Sequence, residues 1–82
     1  MNLNKEMNQN SSSLKIGESA TITAVNLDEI PLKLLEMGCL PGNQITLLQV
    51  APFGDPLYFN VNDSHVAIRL ETAKEISIQK AH

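Results

Sequence analysis

Apolar and polar positions change period along this chain, and each period marks an element. After Leu14, the residues Ala20, Ile22 and Ala24 alternate with Thr21, Thr23 and Val25, the period of two that a half-buried strand requires. Leu27, Ile30, Leu34 and Met37 then recur at intervals of three and four, which predicts a helix with one apolar face, widened by Leu35. Pro31 fits the first turn of that helix, where its missing N–H costs little, and Gly38 fits the left-handed position that closes the last turn. Three β-rich runs follow, Gln44–Val50, Leu57–Val61 and His65–Leu70, each close to the usual five to six residues. In the second run Leu57, Phe59 and Val61 face one way, Tyr58 and Asn60 the other. A last strand is expected over Glu75–Gln79, after the turn Glu71-Thr72-Ala73-Lys74.

The links between these elements are rich in turn formers. In Leu40-Pro41-Gly42-Asn43 the proline ring presets φ near −65° and glycine accepts positive φ, as a type II turn demands. Asn62-Asp63-Ser64 has residues that tolerate left-handed backbone in a tight hairpin. A second punctuated block, Ala51-Pro52-Phe53-Gly54-Asp55-Pro56-Leu57, separates the first two β-rich runs after the helix. The links between the strands from Gln44 onward are too brief for a parallel crossover. The expected class is therefore mainly β: about five short strands in a small barrel or strongly bent antiparallel sheet, with one short helix between the first two strands. The polar run Asn8-Gln9-Asn10-Ser11-Ser12-Ser13 has too little apolar surface to offset its ordering entropy, so residues 1–13 read as a disordered tail and 14–82 as the domain.

Composition narrows the function. Eighty-two residues make one small domain, with a total stability of about 4–12 kcal/mol. No apolar run approaches the roughly 20 residues that cross a bilayer, and the first residues lack the apolar stretch of a secretion signal; a cytoplasmic location is expected. A net charge of −3 offers no basic field for phosphate backbones, so nucleic acid is not an expected partner. The single cysteine, Cys39, excludes an internal disulfide and a multi-cysteine zinc site. Cys39, His65 and His82 show no paired ligand spacing, and no metal or other cofactor is expected. Cys39 reads as a small packed hydrophobe, His65 as solvated beside a turn, and His82 as a terminal residue. Nor is there a nucleophile beside a base, or a glycine-rich phosphate cradle, and catalysis is not expected.

Leu34-Leu35-Glu36-Met37-Gly38-Cys39-Leu40-Pro41-Gly42, the Ala51–Leu57 block, and Ala67-Ile68-Arg69-Leu70-Glu71-Thr72-Ala73 leading into Ile76 together resemble the small bacterial ferrous iron transport A proteins, FeoA, from about Leu14 to Gln79. The resemblance implies an SH3-like barrel. It also implies an accessory protein that docks on the cytoplasmic part of a membrane ferrous iron transporter with a GTPase domain, of FeoB type, and modulates its assembly or activity. The chain would then lie at the inner membrane through its partner, without inserting. It departs from the family's pattern at Asn62-Asp63-Ser64, where glycine is usual, and in its extended polar N-terminus.

For the docking surface, the sequence points to Pro52, Phe53, Gly54, Asp55 and Pro56. A proline-fenced loop loses little entropy on binding, and this one carries an aromatic at its centre. The plainer readings are that Gly54-Asp55-Pro56 is a simple turn and that Phe53 caps the open end of the barrel. Arg69, between Ile68 and Leu70 on a predicted strand, points away from the core and is placed to pair with Glu71, Asp55 or a partner's carboxylate. Gly38, Pro41 and Gly42 are assigned to structural turns. The alternative function is a regulatory domain related to the SH3-like C-terminal domain of metal-dependent transcriptional repressors; no helix-turn-helix precedes the barrel here. A groove for proline-rich ligands would need more aromatics than Phe53, Tyr58 and Phe59. Pairing between copies through strand edges is left open.

Overall fold

A computed structural model describes residues 9–80; the first part of the expected tail and His82 lie outside the described residues. The strands are β1 (Ser19–Val25), β2 (Gln44–Val50), β3 (Leu57–Val61), β4 (Ser64–Ile68) and β5 (Ile76–Lys80). Two short helices, α1 (Leu32–Glu36) and α2 (Leu70–Ala73), and a 3₁₀ turn (Ser11–Ser13) complete the described elements. All pairings are antiparallel, in the order β4-β3-β2-β1-β5. The chain is thus mainly β, as its periodicity predicts.

Each strand contributes one face to a single core. Ala20 and Ile22 of β1, Ile45 and Leu47 of β2, Leu57, Phe59 and Val61 of β3, Val66 and Ile68 of β4, and Ile76 and Ile78 of β5 form one cluster with Ile30, Cys39 and Ala73. A sheet whose inner face feeds one cluster from edge to edge must curl on itself. The β3–β4 link is a two-residue turn with Asn62 at φ 53° and Asp63 at φ 63°. Positive φ at both central residues is the type I′ geometry, whose twist matches that of the flanking strands.

The structure corrects the sequence reading in several places. The helix begins at Leu32, with Pro31 as its N-cap at ψ 140°. Asn26 already folds the preceding residues into a turn: its carbonyl accepts Ile30 N–H at 3.0 Å and its side-chain oxygen accepts Asp28 N–H at 3.1 Å. Leu27 consequently sits outside the helix and is 67% exposed, whereas Ile30 is buried. In β1 a register shift between Ile22 and Ala24 opposite β5 inserts one extra residue, which flips the alternation and leaves Ala24 exposed. β4 ends at Ile68, and the expected turn at Glu71–Lys74 is largely taken into α2; Arg69 is the N-cap of α2 and not a strand residue.

The boundary expected between Ser13 and Leu14 is also corrected, because Gln9–Ser13 are built into the fold. Ile78 N–H donates to Gln9 O at 3.0 Å, and Asn10 bridges Ser77. Asn10 then caps the 3₁₀ turn by accepting Ser12 N–H at 2.9 Å. Ser11 is fully buried, and its Oγ–H donates to the carbonyl of Ala73 at 2.6 Å. A polar run holds here because its hydroxyls and amides find partners, which composition does not reveal. Ser11→Ala leaves that carbonyl without its donor, so a loss of about 1–2 kcal/mol is expected. The check is a thermal melt; an unchanged midpoint would show that the N-terminal turn adds nothing to the domain.

Candidate functional site

The block after α1 is a run of backbone closures. Cys39 N–H donates to Leu34 O at 3.0 Å and Gly38 N–H to Leu35 O at 3.1 Å, the paired bonds of a Schellman motif with Gly38 in the left-handed position at φ +112°. Asn43 N–H then donates to Leu40 O at 3.1 Å across Pro41 and Gly42, with Gly42 at φ +96°, the arrangement of a type II turn. Asn43 Nδ2 donates to Gly38 O at 2.8 Å, and Gly42 N–H to Ile22 O at 2.7 Å. The block is therefore tied both to itself and to β1. Its residues shape the end of the barrel, and the one thiol among them, Cys39, is buried.

The second block closes the β2–β3 hairpin beyond the pair Val50–Leu57. Gly54 N–H donates to Ala51 O at 2.8 Å and Ala51 N–H to Pro56 O at 3.1 Å, which turns the chain tightly around Pro52 and Phe53. Gly54 takes φ +84°, and the Asp55–Pro56 peptide is cis. Phe53 is 98% exposed, so it caps nothing; the side chain projects from a hydrogen-bonded turn into solvent. Exposed large aromatics on constrained backbone are the kind of group that anchors protein interfaces.

Asp55 joins this loop to α2. One carboxylate oxygen accepts Leu70 N–H at 2.9 Å, and the other lies 4.0 Å from Arg69 Nη1. Of the partners considered for Arg69, the structure thus places Asp55 beside it. The pair is exposed and long, and pairs of that kind contribute about 0–1 kcal/mol. Arg69 keeps most of its surface free, its side chain being 73% exposed. Pro52 to Pro56 and Arg69 accordingly form one patch, with an aromatic at the tip and a guanidinium at the base.

The residues considered for metal binding are not brought together. Cys39 is fully buried in the core, where burial pushes its thiol above the usual range. His65 stands exposed on β4. Among the described residues, no group of three or more His, Cys, Asp or Glu side chains is close enough to hold a metal ion. None of their helices is long and apolar enough to cross a membrane.

A second surface was not visible in the sequence. Between α1 and β4 runs a groove of about 390 Å³, with Pro31, Leu34 and Met37 on one side and β4 from His65 to Ile68 on the other. Periodicity assigned Leu34 and Met37 to the core, yet both are only partly buried. A five-residue helix is too short to press its whole apolar stripe onto the sheet, and the shortness of the Pro31–Gly38 interval was the available signal.

Comparison with known proteins agrees with this architecture. Residues 12–80 match the model of the FeoA domain. A 69-residue stretch is 38% identical to the Fe(2+) transport protein A/Fe(2+) transporter FeoB fusion protein of Porphyromonas gingivalis, covering 83% of this chain and 8% of that protein; the chain thus spans a small fraction of that relative's length. The FeoA protein of Chlorobium tepidum superposes with a TM-score of 0.80 at 27% identity, over 90% of this chain and 71% of that one. The zinc-complexed FeoA of Stenotrophomonas maltophilia, described as an SH3 domain protein, gives 0.74 at 26% identity over 87% and 89%. T. acidophilum IdeR shares the fold at 23% identity, with a TM-score of 0.76 over 89% of this chain and 34% of that one, and a manganese-dependent transcriptional repressor does so at 12% identity, with a TM-score of 0.73 over 89% and 41%. With more than half of its length matching the family model, the chain belongs to the FeoA domain family.

Proposed function

We propose that this protein docks on the cytoplasmic part of a membrane ferrous iron transporter with a GTPase domain and modulates its assembly or activity by contact, without chemistry of its own. The observation that carries the reading is the fusion of a 38% identical FeoA domain to FeoB in one polypeptide of P. gingivalis. Linking two modules converts their meeting into an intramolecular event, and such a link is useful where the modules work together. On this chain, the patch of Pro52, Phe53, Gly54, Asp55, Pro56 and Arg69 is the contact we assign. Phe53 would be its anchor, since its exposed ring loses water on docking while the turn beneath it is already ordered. The protein would work at the cytoplasmic face of the inner membrane, held there by its partner.

The alternative repressor-type role rests on likeness of fold alone, whereas the family match and the fused relative both lie on the transport side. The test is co-purification of tagged protein with the transporter. Phe53→Ala should weaken retention by at least about tenfold, as an interface anchor does. Its melting point should hold, because a fully exposed side chain away from the core is worth within about 0.5 kcal/mol. A folded Phe53→Ala protein retained as well as the wild type removes this loop from the contact.

A further inference from the structure

The sheet has two edges, and the chain treats them differently. On β5, the backbone of Gln9 and Asn10 lies along the outer side through the Ile78–Gln9 bond and the Asn10–Ser77 bridge. β4 has β3 on one side and, among the described residues, no strand on the other. Counting from the two-residue turn, Val61 and Ser64 are the closing pair, so Ser64, Val66 and Ile68 bond to β3. The N–H and C=O groups of His65 and Ala67 therefore point outward, and none has a backbone partner among the described residues. Such a row is a template for another extended chain, and edges left free in this way are usually blunted. Here the opposite edge is covered and this one opens onto the α1–β4 groove.

The groove itself states the chemistry of what would fill it. Its wall against α1 is apolar, from Leu34 and Met37. Its fixed charges are those of Lys33 and Arg69, and no aspartate or glutamate lines it, in a chain that holds nine acidic and six basic residues. We propose that β4 is a docking edge for an extended segment of a partner protein in which an apolar side chain is flanked, two residues to either side, by carboxylates. The segment's main chain pairs with His65 and Ala67. Because side chains on one face of a strand recur every second residue, its apolar residue enters the groove against Leu34 and Met37 while the carboxylates on the same face meet Lys33 and Arg69. A second copy of this chain is a poorer occupant, since antiparallel pairing of two β4 edges brings Lys33 and Arg69 of both copies onto one seam. This docking edge deepens the transporter reading and rests on it for the identity of the partner, but not for the recognition chemistry.

The test uses no transporter, so its failure leaves the Phe53 result standing. Terminally blocked Asp-Val-Leu-Val-Asp and Lys-Val-Leu-Val-Lys peptides are titrated into the full chain, with amide hydrogen exchange read by NMR. The aspartate peptide should slow exchange at His65 and Ala67 by at least about tenfold, as ladder bonds protect amides. It should also bind about tenfold more tightly than the lysine peptide at low salt, a difference that shrinks near 0.5 M salt. Lys33→Glu should remove most of the preference between the peptides, since Arg69 then faces one carboxylate while the introduced glutamate repels the other. Ala67→Pro should abolish binding while the protein still melts cooperatively, proline being tolerated at an edge position whose N–H faces outward. Unchanged exchange at His65 and Ala67 with millimolar peptide overturns the proposal, as does equal affinity for the two peptides. Protection of the same amides that grows with protein concentration in the absence of peptide assigns the edge to a second copy and overturns it equally.

Discussion

Phe59→Ala should melt roughly 12–40 °C below the wild type, and much of it should be unfolded at 37 °C. Phe59 is the largest of the fully buried side chains. It stands at the middle of β3, paired in register with Leu47 on β2 and Val66 on β4, both of which belong to the same cluster. Truncating such a side chain removes its transfer free energy and leaves a cavity that flanking strands fill poorly, at a cost of about 3–5 kcal/mol. For a chain of this size each kcal/mol moves the midpoint by about 4–8 °C, and the whole domain has only about 4–12 kcal/mol to lose. Circular dichroism melts check the shift; a fall of less than about 5 °C would mean that the core repacks around the gap. The chain's two phenylalanines make a clean pair, since Phe59 is 0% and Phe53 98% exposed. One substitution should weaken the fold severely, the other should spare the fold and weaken the contact.

Gly38→Ala is the second large effect, and it should exceed Gly42→Ala. Both glycines hold positive φ, +112° and +96°, a region that costs a residue with a Cβ on the order of 1–3 kcal/mol. At Gly42 a Cβ would meet nothing within 4 Å, so the backbone strain is the whole penalty. At Gly38 it would stand 2.7 Å from Asn62 Cβ, and Asn62 is itself held at φ 53° by the β3–β4 turn. Either the Schellman closure or the hairpin must then shift, and a total loss on the order of 3–5 kcal/mol follows from adding overpacking to strain. Urea unfolding of the two variants side by side measures the difference. Equal midpoints would show that the Gly38–Asn62 contact relaxes without cost.

That contact also shows why the N-terminal half of the turn block is glycine at Gly38 whatever the partner requires. The end of α1 and the β3–β4 hairpin pack so closely that a hydrogen is all that fits between them. The groove between α1 and β4 lies on the same side of the molecule, being lined by Met37 next to Gly38. The packing that fixes the helix end therefore also sets one wall of the groove.

Much of this molecule was written in the order of its residues. Alternation in Leu57–Val61 predicted the faces of β3, and the turn formers at Leu40–Asn43 and Asn62–Asp63 predicted where the chain reverses, because φ preference is a property of the residue and its neighbours. From Gln44 onward the short links confined successive strands to antiparallel pairing, whereas residues 26–43 are enough for a crossover, and only the tertiary structure decided that β1 runs antiparallel to β2. Other features depended on contacts that cross the sequence. Ser11 is buried because Ala73, 62 positions away, supplies its acceptor, so a run that looked like tail became part of the domain. The bulge in β1 shifted Ala24 outward because β5 imposes its register there. Phe53 faces water and Phe59 the core although both are phenylalanines in β-rich surroundings, and Leu27 lost its helical place to a turn made by Asn26. Local preference decides where a chain bends; which side chains meet, which edge stays open and which ring is left in solvent are settled only when distant segments compete for the same interior.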